Sequence, residues 1–287
     1  MRYLALCFLI LSGCMRLDGN LLSPGDEISQ YLLDDYQGEV DFRTPEEMKV
    51  SNFTFVDLTS GGNTIKAIYL GDTSRIKTDT VIVYCHGYNH HIDFYWPRVS
   101  LLAQTGGKHR FGVMILDYRG FGLSEGETTE ESMYEDVNEA INWLKLKGLT
   151  QERLALYGFS LGGMPAVELA HAARAMRAQW LITESAYASP ELLAQDATHL
   201  AIPGSFFTNV KGDNAEKIKK VDQPYLNIHG DVDQFIKFET HALEIRGNYQ
   251  GQHLEAVTVR GADHEDVPEV MGFEIYLRTI EDFLTKN

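Results

Sequence analysis

Cysteine is scarce in this chain: Cys7, Cys14 and Cys85 are the only three among 287 residues. No Cys-x-x-Cys pair occurs, so neither a disulfide-stapled scaffold nor a zinc or dithiol redox site is indicated. Basic residues are also few, with Lys and Arg totalling 25 against 41 Asp and Glu, a formal net charge of −16. Such a surface repels a phosphate backbone, which argues against a nucleic-acid partner. No apolar run reaches the roughly 18 residues that a membrane-spanning helix needs. Internal repeats and low-complexity tracts are missing too. What is present is material for a sizeable core, 44% hydrophobic and 11% aromatic residues, which rules out disorder for most of the chain. At about 100–200 residues per domain the length allows one large domain or two small ones.

The first residues read as an address. Arg2 supplies a lone positive charge, Tyr3 to Leu11 an apolar run too short to span a bilayer, and Ser12 and Gly13 small residues before Cys14. That order is the pattern of an export signal. Leu11-Ser12-Gly13-Cys14 also resembles the lipobox of bacterial lipoproteins. The resemblance implies removal of residues 1–13, a diacylglyceryl group on the Cys14 sulfur, and often acylation of the new amino group. Two or three chains at about 0.8 kcal/mol per buried CH₂ anchor stably where one would not. The expected location is the bacterial cell envelope, lipid-anchored in a membrane. In that family Met15, rather than aspartate, after the cysteine implies the outer membrane if the source is Gram-negative. The alternative is an ordinary signal with a chance cysteine. Residues 14–50 carry many acids and few strong periodicities, and read as part tether, part cover. Cys85 ends an apolar run and reads as a buried small hydrophobe.

From Ser51 the pattern changes. Phe53–Leu58 and Thr64–Leu70 are strand-like runs around Ser60-Gly61-Gly62-Asn63, a hairpin signal. Apolar runs follow at Thr80–Cys85, Phe111–Leu116, Arg153–Tyr157, Gln179–Thr183, Tyr225–His229 and Leu254–Val259, mostly separated by helical patterns. Ser132-x-x-Glu135 reads as a capping box, with Met133, Val137, Ala140, Ile141 and Leu144 on one face behind it. Phe273, Tyr276, Leu277, Ile280, Phe283 and Leu284 share the face of a terminal helix. The pattern predicts an α/β domain over 51–287, an eight-stranded, mostly parallel sheet with helices on both faces. The long connection 185–222 predicts a small cap after the sixth strand, carrying Tyr187, Leu192, Leu193, Ile202, Phe206 and Phe207 for packing or an acyl pocket.

Gly158-Phe159-Ser160-Leu161-Gly162 follows a strand-like run and precedes the helical stretch Met164–Met176. This is a nucleophile elbow in its strand–turn–helix setting. The serine sits in a strained turn, and bulkier neighbours two residues either side would clash. A serine nucleophile needs a base, and the base an orienting acid. His229-Gly230-Asp231-Val232-Asp233 and Gly261-Ala262-Asp263-His264 each lie just past a strand, in the order Ser, acid, His that this architecture uses. Asp233, Asp231 and Glu184 compete as the acid. His264 alone among the later histidines, His241 and His253 included, follows the last strand.

With His86-Gly87 and Asp117-Tyr118-Arg119-Gly120-Phe121-Gly122-x-Ser124-x-Gly126, these pieces together resemble the α/β-hydrolase superfamily from Ser51 to the C-terminus. The nearest branch is that of small esterases, monoacylglycerol-lipase-type lipases and serine-aminopeptidase-like hydrolases. The resemblance implies Ser160 as nucleophile, His264 as general base, Asp233 as orienting carboxylate, and the backbone N–H groups of Leu161 and Tyr88 as an oxyanion hole. Asp263 departs from the glycine that many relatives carry before the histidine. The expected partner is a small-molecule ester, and thioesters would follow the same steps. Alternatives are a peptidase or amidase, and a catalytically silent ligand-binding lipoprotein. No cofactor is implied. No metal is expected either: His86, His90 and His91 lack a carboxylate or cysteine at ligand spacing and read as loop bracing. Arg119 with Asp117 reads as a brace for the oxyanion loop.

Overall fold

Phe53–Ser60 (β1) buries Val56, Leu58 and Ser60 and exposes the residues between, as a half-covered edge strand does. It turns through Gly61 and Gly62, both at positive φ (+56° and +84°), into Asn63–Leu70 (β2). A two-residue hairpin turn demands that conformation. The later strands are Thr80–Cys85 (β3), Phe111–Leu116 (β4), Leu154–Phe159 (β5), Trp180–Glu184 (β6), Tyr225–Gly230 (β7) and Leu254–Val259 (β8). The computed structural model describes residues 22–25, 27–38, 40–107, 111–198 and 208–286. Among the described residues it sets these eight strands in one sheet, ordered β1-β2-β4-β3-β5-β6-β7-β8. β2 runs antiparallel to β1 and β4, and β3 to β8 are parallel.

Because side chains alternate along a strand, each parallel strand feeds two cores. Val81 and Val83 face Glu130–Leu146 (α2) and Gly163–His171 (α3), through Met133, Val137, Ile141, Leu144, Met164 and Val167. Ile82 and Tyr84 face Ile92–Leu102 (α1) and the terminal helix Phe273–Lys286, through Trp96, Val99, Tyr276, Ile280 and Phe283. Each such side chain contributes about 1.5–3 kcal/mol on burial. The helices on both faces leave the carboxyl ends of the parallel strands as the free edge. The order reverses around β3, the place where this class of sheet opens a crevice.

Two local expectations are corrected. The capping box is one turn earlier: Thr129 is the N-cap and accepts from Ser132 N at 3.0 Å, while Ser132 Oγ accepts from Thr129 N at 2.8 Å. The helix after the elbow ends at His171, not Met176. Ala172 leaves helical dihedrals, and Ala175 is tied to α2 by Asn138 Oδ1 (2.7 Å) and Lys145 Nζ (2.9 Å).

The described residues before β1 lie on the domain. Leu32 and Leu33 amides donate to Asp93 at the start of α1 at 3.0 and 2.7 Å. Thr44 Oγ1 donates to Pro97 O and Gln104 donates to Met48 O, both at 2.9 Å. Phe42 is buried against Phe273, ring centroids 5.3 Å apart. In the long connection, Pro190–Thr198 (α4) and Asn214–Lys217 (α5) are described, with Tyr187 buried and Leu192 and Leu193 packed against the core. Ile202, Phe206, Phe207 and the whole of 1–21, Cys14 included, lie outside the described residues.

Candidate active site

β3 and β5 are neighbours, with Cys85 opposite Gly158. The turn after β5 is therefore pressed against the end of β3. A Cβ on Gly162 would stand 1.9 Å from Cys85 O, and one on Gly158 2.5 Å from Gly162 O. Those approaches explain both glycines of the elbow. Between them Ser160 sits at φ +51°, a left-handed conformation costing about 1–3 kcal/mol in a non-glycine residue. It is almost fully buried.

The other two candidate residues come from the far end of the sheet. β7 and β8 pair as far as Gly230 opposite Val259, so the loops that follow run side by side. Gly230 has no room for a side chain, since its Cβ would meet Ala262 O at 2.1 Å. Asp231 joins the loops: its amide donates to Val259 O, and its Oδ1 accepts from Gly261 N at 2.6 Å. Two residues on, Asp233 turns inward. Oδ1 accepts from Phe235 N (2.9 Å) and Ile236 N (2.7 Å), and Oδ2 faces His264 Nδ1 (2.9 Å) and His229 Nε2 (3.3 Å). Burial alone would raise this carboxyl, but the bonds from His229 and His264 outweigh it and hold Asp233 below the usual carboxylate range.

His264 Nε2 lies 3.0 Å from Ser160 Oγ. With Asp233 ionised, Nδ1 carries the ring proton and Nε2 turns its lone pair to the hydroxyl. Phe159 and Phe235 flank the imidazole at 5.3 and 5.1 Å between centroids. The structure thus brings Ser160, Asp233 and His264 together. An open cleft of about 510 Å³ reaches His264, lined also by Asp41, Gln234, Phe235, Asp263 and Asp266. Asp263 does not face the ring: its Oδ1 accepts from the amides of Gln234 (2.9 Å) and His264 (2.8 Å).

The rival residues are engaged elsewhere. Glu184 binds Arg98, Tyr157 and Tyr276. His241 Nδ1 accepts from Ala188 N at 3.0 Å, and burial lowers its pKa to about 4. His253 sits 3.1 Å from Glu255 at the surface. His86 Nδ1 meets Gly87 O at 2.8 Å, and burial lowers its pKa to about 3. His90 stacks on Phe94 at 3.8 Å. Among the described residues no group of three His, Cys, Asp or Glu side chains gathers as metal ligands do. Cys85 is a buried free thiol. Tyr88 lies just past β3, half-buried, its carbonyl accepting from Tyr95 at 3.1 Å, and Leu161 follows Ser160 on the adjacent strand's turn.

The expected pairing of Arg119 with Asp117 is corrected. Arg119 bonds Asp136 (2.7 Å), Glu135 and Ser60 Oγ (2.8 Å), which ties the hairpin to α2. Asp117 instead accepts from Ile92 N (2.9 Å) and from Tyr31 of the N-terminal segment (2.6 Å). Sequence reasoning also gave no role to His229, Phe235 or Arg98. His229 was visible as the histidine of His-Gly-x-x-Asp, and Arg98 as a lone cation in an apolar stretch.

A sheet of this order, with a strained serine past β5 and its partners past β7 and β8, defines an α/β-hydrolase. The chain belongs to that superfamily. The family model described as alpha/beta hydrolase fold matches residues 80–210. The chain is 31% identical over 236 residues to alpha/beta hydrolase domain-containing protein 17B of Homo sapiens, covering 81% of this chain and 75% of that one. Among solved structures, an esterase of Pyrococcus furiosus superposes with a TM-score of 0.70 at 16% identity, covering 93% of this chain and 98% of its own. Est1E of Butyrivibrio proteoclasticus, solved with ferulic acid bound, does so at 0.64 and 18% identity, covering 80% and 98%. At those identities the two structures speak for the fold alone.

Proposed function

We propose that this chain is a serine hydrolase of carboxylic esters, working through an acyl-enzyme, with thioesters open to the same steps. The observation that carries the reading is His264 suspended between Ser160 Oγ at 3.0 Å and Asp233 Oδ2 at 2.9 Å. The Ser160 oxygen attacks the ester carbonyl carbon while Nε2 takes its proton. Asp233 stabilises the imidazolium, and the N–H groups of Leu161 and Tyr88 receive the oxyanion. The C–O bond to the alcohol breaks as the imidazolium returns the proton to the leaving oxygen. Water, deprotonated by the same ring, then cleaves the acyl-serine bond and frees the acid.

The test is labelling by a fluorophosphonate probe and turnover of an activated ester beside its matching amide. Wild type should label and cleave the ester, Ser160→Ala should do neither, and the amide should react far more slowly. A folded wild-type chain that never labels sinks the hydrolase reading. Comparable amide turnover converts it to a peptidase or amidase.

We further propose that a lipidated Cys14 anchors the enzyme in the bacterial cell envelope, supported by the order of Arg2, the apolar run, Ser12-Gly13 and the cysteine. Cys14→Ser should release the protein from the membrane fraction or block its processing. Unchanged processing and fractionation refutes the anchor.

A further inference from the structure

Arg98 lies in the largely apolar helix α1 and is 2% exposed. Its guanidinium is used on every side. Nε meets Asp41 of the N-terminal segment, Nη1 meets Glu184 at the end of β6, and Nη2 donates to Glu265 O at 2.5 Å. Its guanidinium carbon lies over the Phe159 ring, 4.0 Å from the centroid. Glu184 is fixed in turn, its other oxygen receiving the hydroxyls of Tyr157 and Tyr276, the latter at 2.7 Å.

Two of these contacts stand beside the reacting groups. Phe159 immediately precedes Ser160, and Glu265 immediately follows His264. The Phe159 ring also meets the His264 ring at 5.3 Å. One buried cation therefore touches both the turn that carries the hydroxyl and the loop that carries the imidazole. At 2% exposure no substrate atom reaches it. A buried ion group of this kind gains little stability over well-packed apolar residues, because desolvation consumes the Coulombic gain. What it does supply is direction. A planar fork satisfies three acceptors and lies over a ring at once, which a point-charge ammonium does not do.

We propose that Arg98 is a positioning residue: clamped between Asp41 and Glu184, it fixes the His264 loop against the nucleophile turn, so that the N-terminal segment completes the site. The proposal rests on the reading of Ser160 and His264 as nucleophile and base. A shift of a fraction of an ångström between those loops spoils the alignment of Nε2 with Oγ while leaving the cleft open to substrate.

The experiment compares full-length wild type with Asp41→Asn, Arg98→Lys and Arg98→Met. It measures kcat and KM on an activated ester, thermal midpoint, and the downfield imidazole N–H proton of His264 by NMR. In Asp41→Asn and Arg98→Lys, kcat should fall about tenfold or more with KM within about twofold, and the N–H signal should broaden or vanish. Arg98→Met leaves Glu184 buried without its cation and should be the least stable. Arg98→Lys should recover its thermal midpoint but not kcat. Asp41→Asn, at the outer end of the clamp, remains informative if both Arg98 variants misfold.

Wild-type kcat and N–H signal in Asp41→Asn and in whichever Arg98 variants fold, or lysine restoring kcat together with the midpoint, overturns the proposal. If wild type neither labels nor hydrolyses, the hydrolase reading has failed. The N–H signal then decides separately: retained in the variants, it overturns the clamp; lost in them, it upholds it.

Discussion

Replacing Asp233 by Asn tests the role of the acid that orients His264. Oδ1 of Asp233 accepts two backbone amides, Phe235 N at 2.9 Å and Ile236 N at 2.7 Å, and Oδ2 receives His264 Nδ1 at 2.9 Å. An asparagine has only one oxygen to serve both sides. If the oxygen stays with the amides, the NH₂ group points at Nδ1 and forces the proton onto Nε2, so the ring faces Ser160 with a donor and cannot act as base. If the side group flips, the buried Ile236 N–H and the part-buried Phe235 N–H lose their acceptor. The buried amide costs about 1–3 kcal/mol and the part-buried one at most as much again, so the flip costs about 1–6 kcal/mol. At 1.36 kcal/mol per tenfold, the productive tautomer is depleted between about 5-fold and about 10⁴-fold. The upper end matches the loss of about 10⁴ seen for the same change in a serine protease triad. The assay is kcat on an activated ester for Asp233→Asn, Asp231→Asn and Glu184→Gln, each checked for folding by circular dichroism. Asp231→Asn should act mainly on stability, through its bond to Gly261 N. An Asp233→Asn enzyme within about threefold of wild type would falsify the assignment, since it lies below the range just worked. Collapse of one of the other two would redraw the triad around that residue.

Three further outcomes follow from the same geometry. Ser160→Gly should abolish turnover yet unfold at higher denaturant than Ser160→Ala, because glycine adopts φ +51° without the strain that alanine retains; the reverse order would show the turn is not strained. Gly162→Ala drives a Cβ to 1.9 Å from Cys85 O, so it should yield little soluble protein, and a soluble variant melting with wild type contradicts the close approach. His241 is buried with a pKa near 4 against 6.5 unfolded, so below about pH 6.5 the unfolded chain binds a proton that the folded chain refuses. Stability from this group is thus intact above that pH and lost as pH falls toward 4, by up to about 1.4 kcal/mol per unit. His86, lowered to about 3, adds in the same direction, whereas Asp117, raised by burial to about 7, opposes it between about 7 and 3.8. His241→Asn removes one of these terms and leaves the others. Its urea midpoint should therefore decline less steeply than that of wild type from pH 6.5 to 4.5, and equal slopes would show that His241 titrates alike in both states.

What was legible in the sequence was what short-range patterning encodes. Runs such as Thr80–Cys85, Phe111–Leu116 and Leu254–Val259 are strands at their predicted bounds, since four or more apolar residues flanked by turn formers have few other uses in an alternating chain. The elbow glycines were legible because the backbone approach they permit is local to one turn. The helix start was half legible. Thr129, Ser132 and Glu135 are spaced by three, so two overlapping capping patterns compete. The second fails because Glu135 is drawn to Arg119, a partner 16 residues away that no cap rule knows. The choice among acids was open for the same reason: Asp231, Asp233 and Glu184 are separated only by which donors the folded chain turns toward them. The clamp on Arg98 was least legible, its partners lying 57, 86 and 167 residues away. Yet a sign of it stood in the sequence. Arg98 and Glu184 are opposite charges set within apolar segments, and neither could be buried alone except at a cost of several kcal/mol. Such a pair announces that a partner exists without saying which. Only the packing of α1 over the ends of β5 and β6 supplies the answer, and it puts the pair behind the hydroxyl and the imidazole rather than at random in the core.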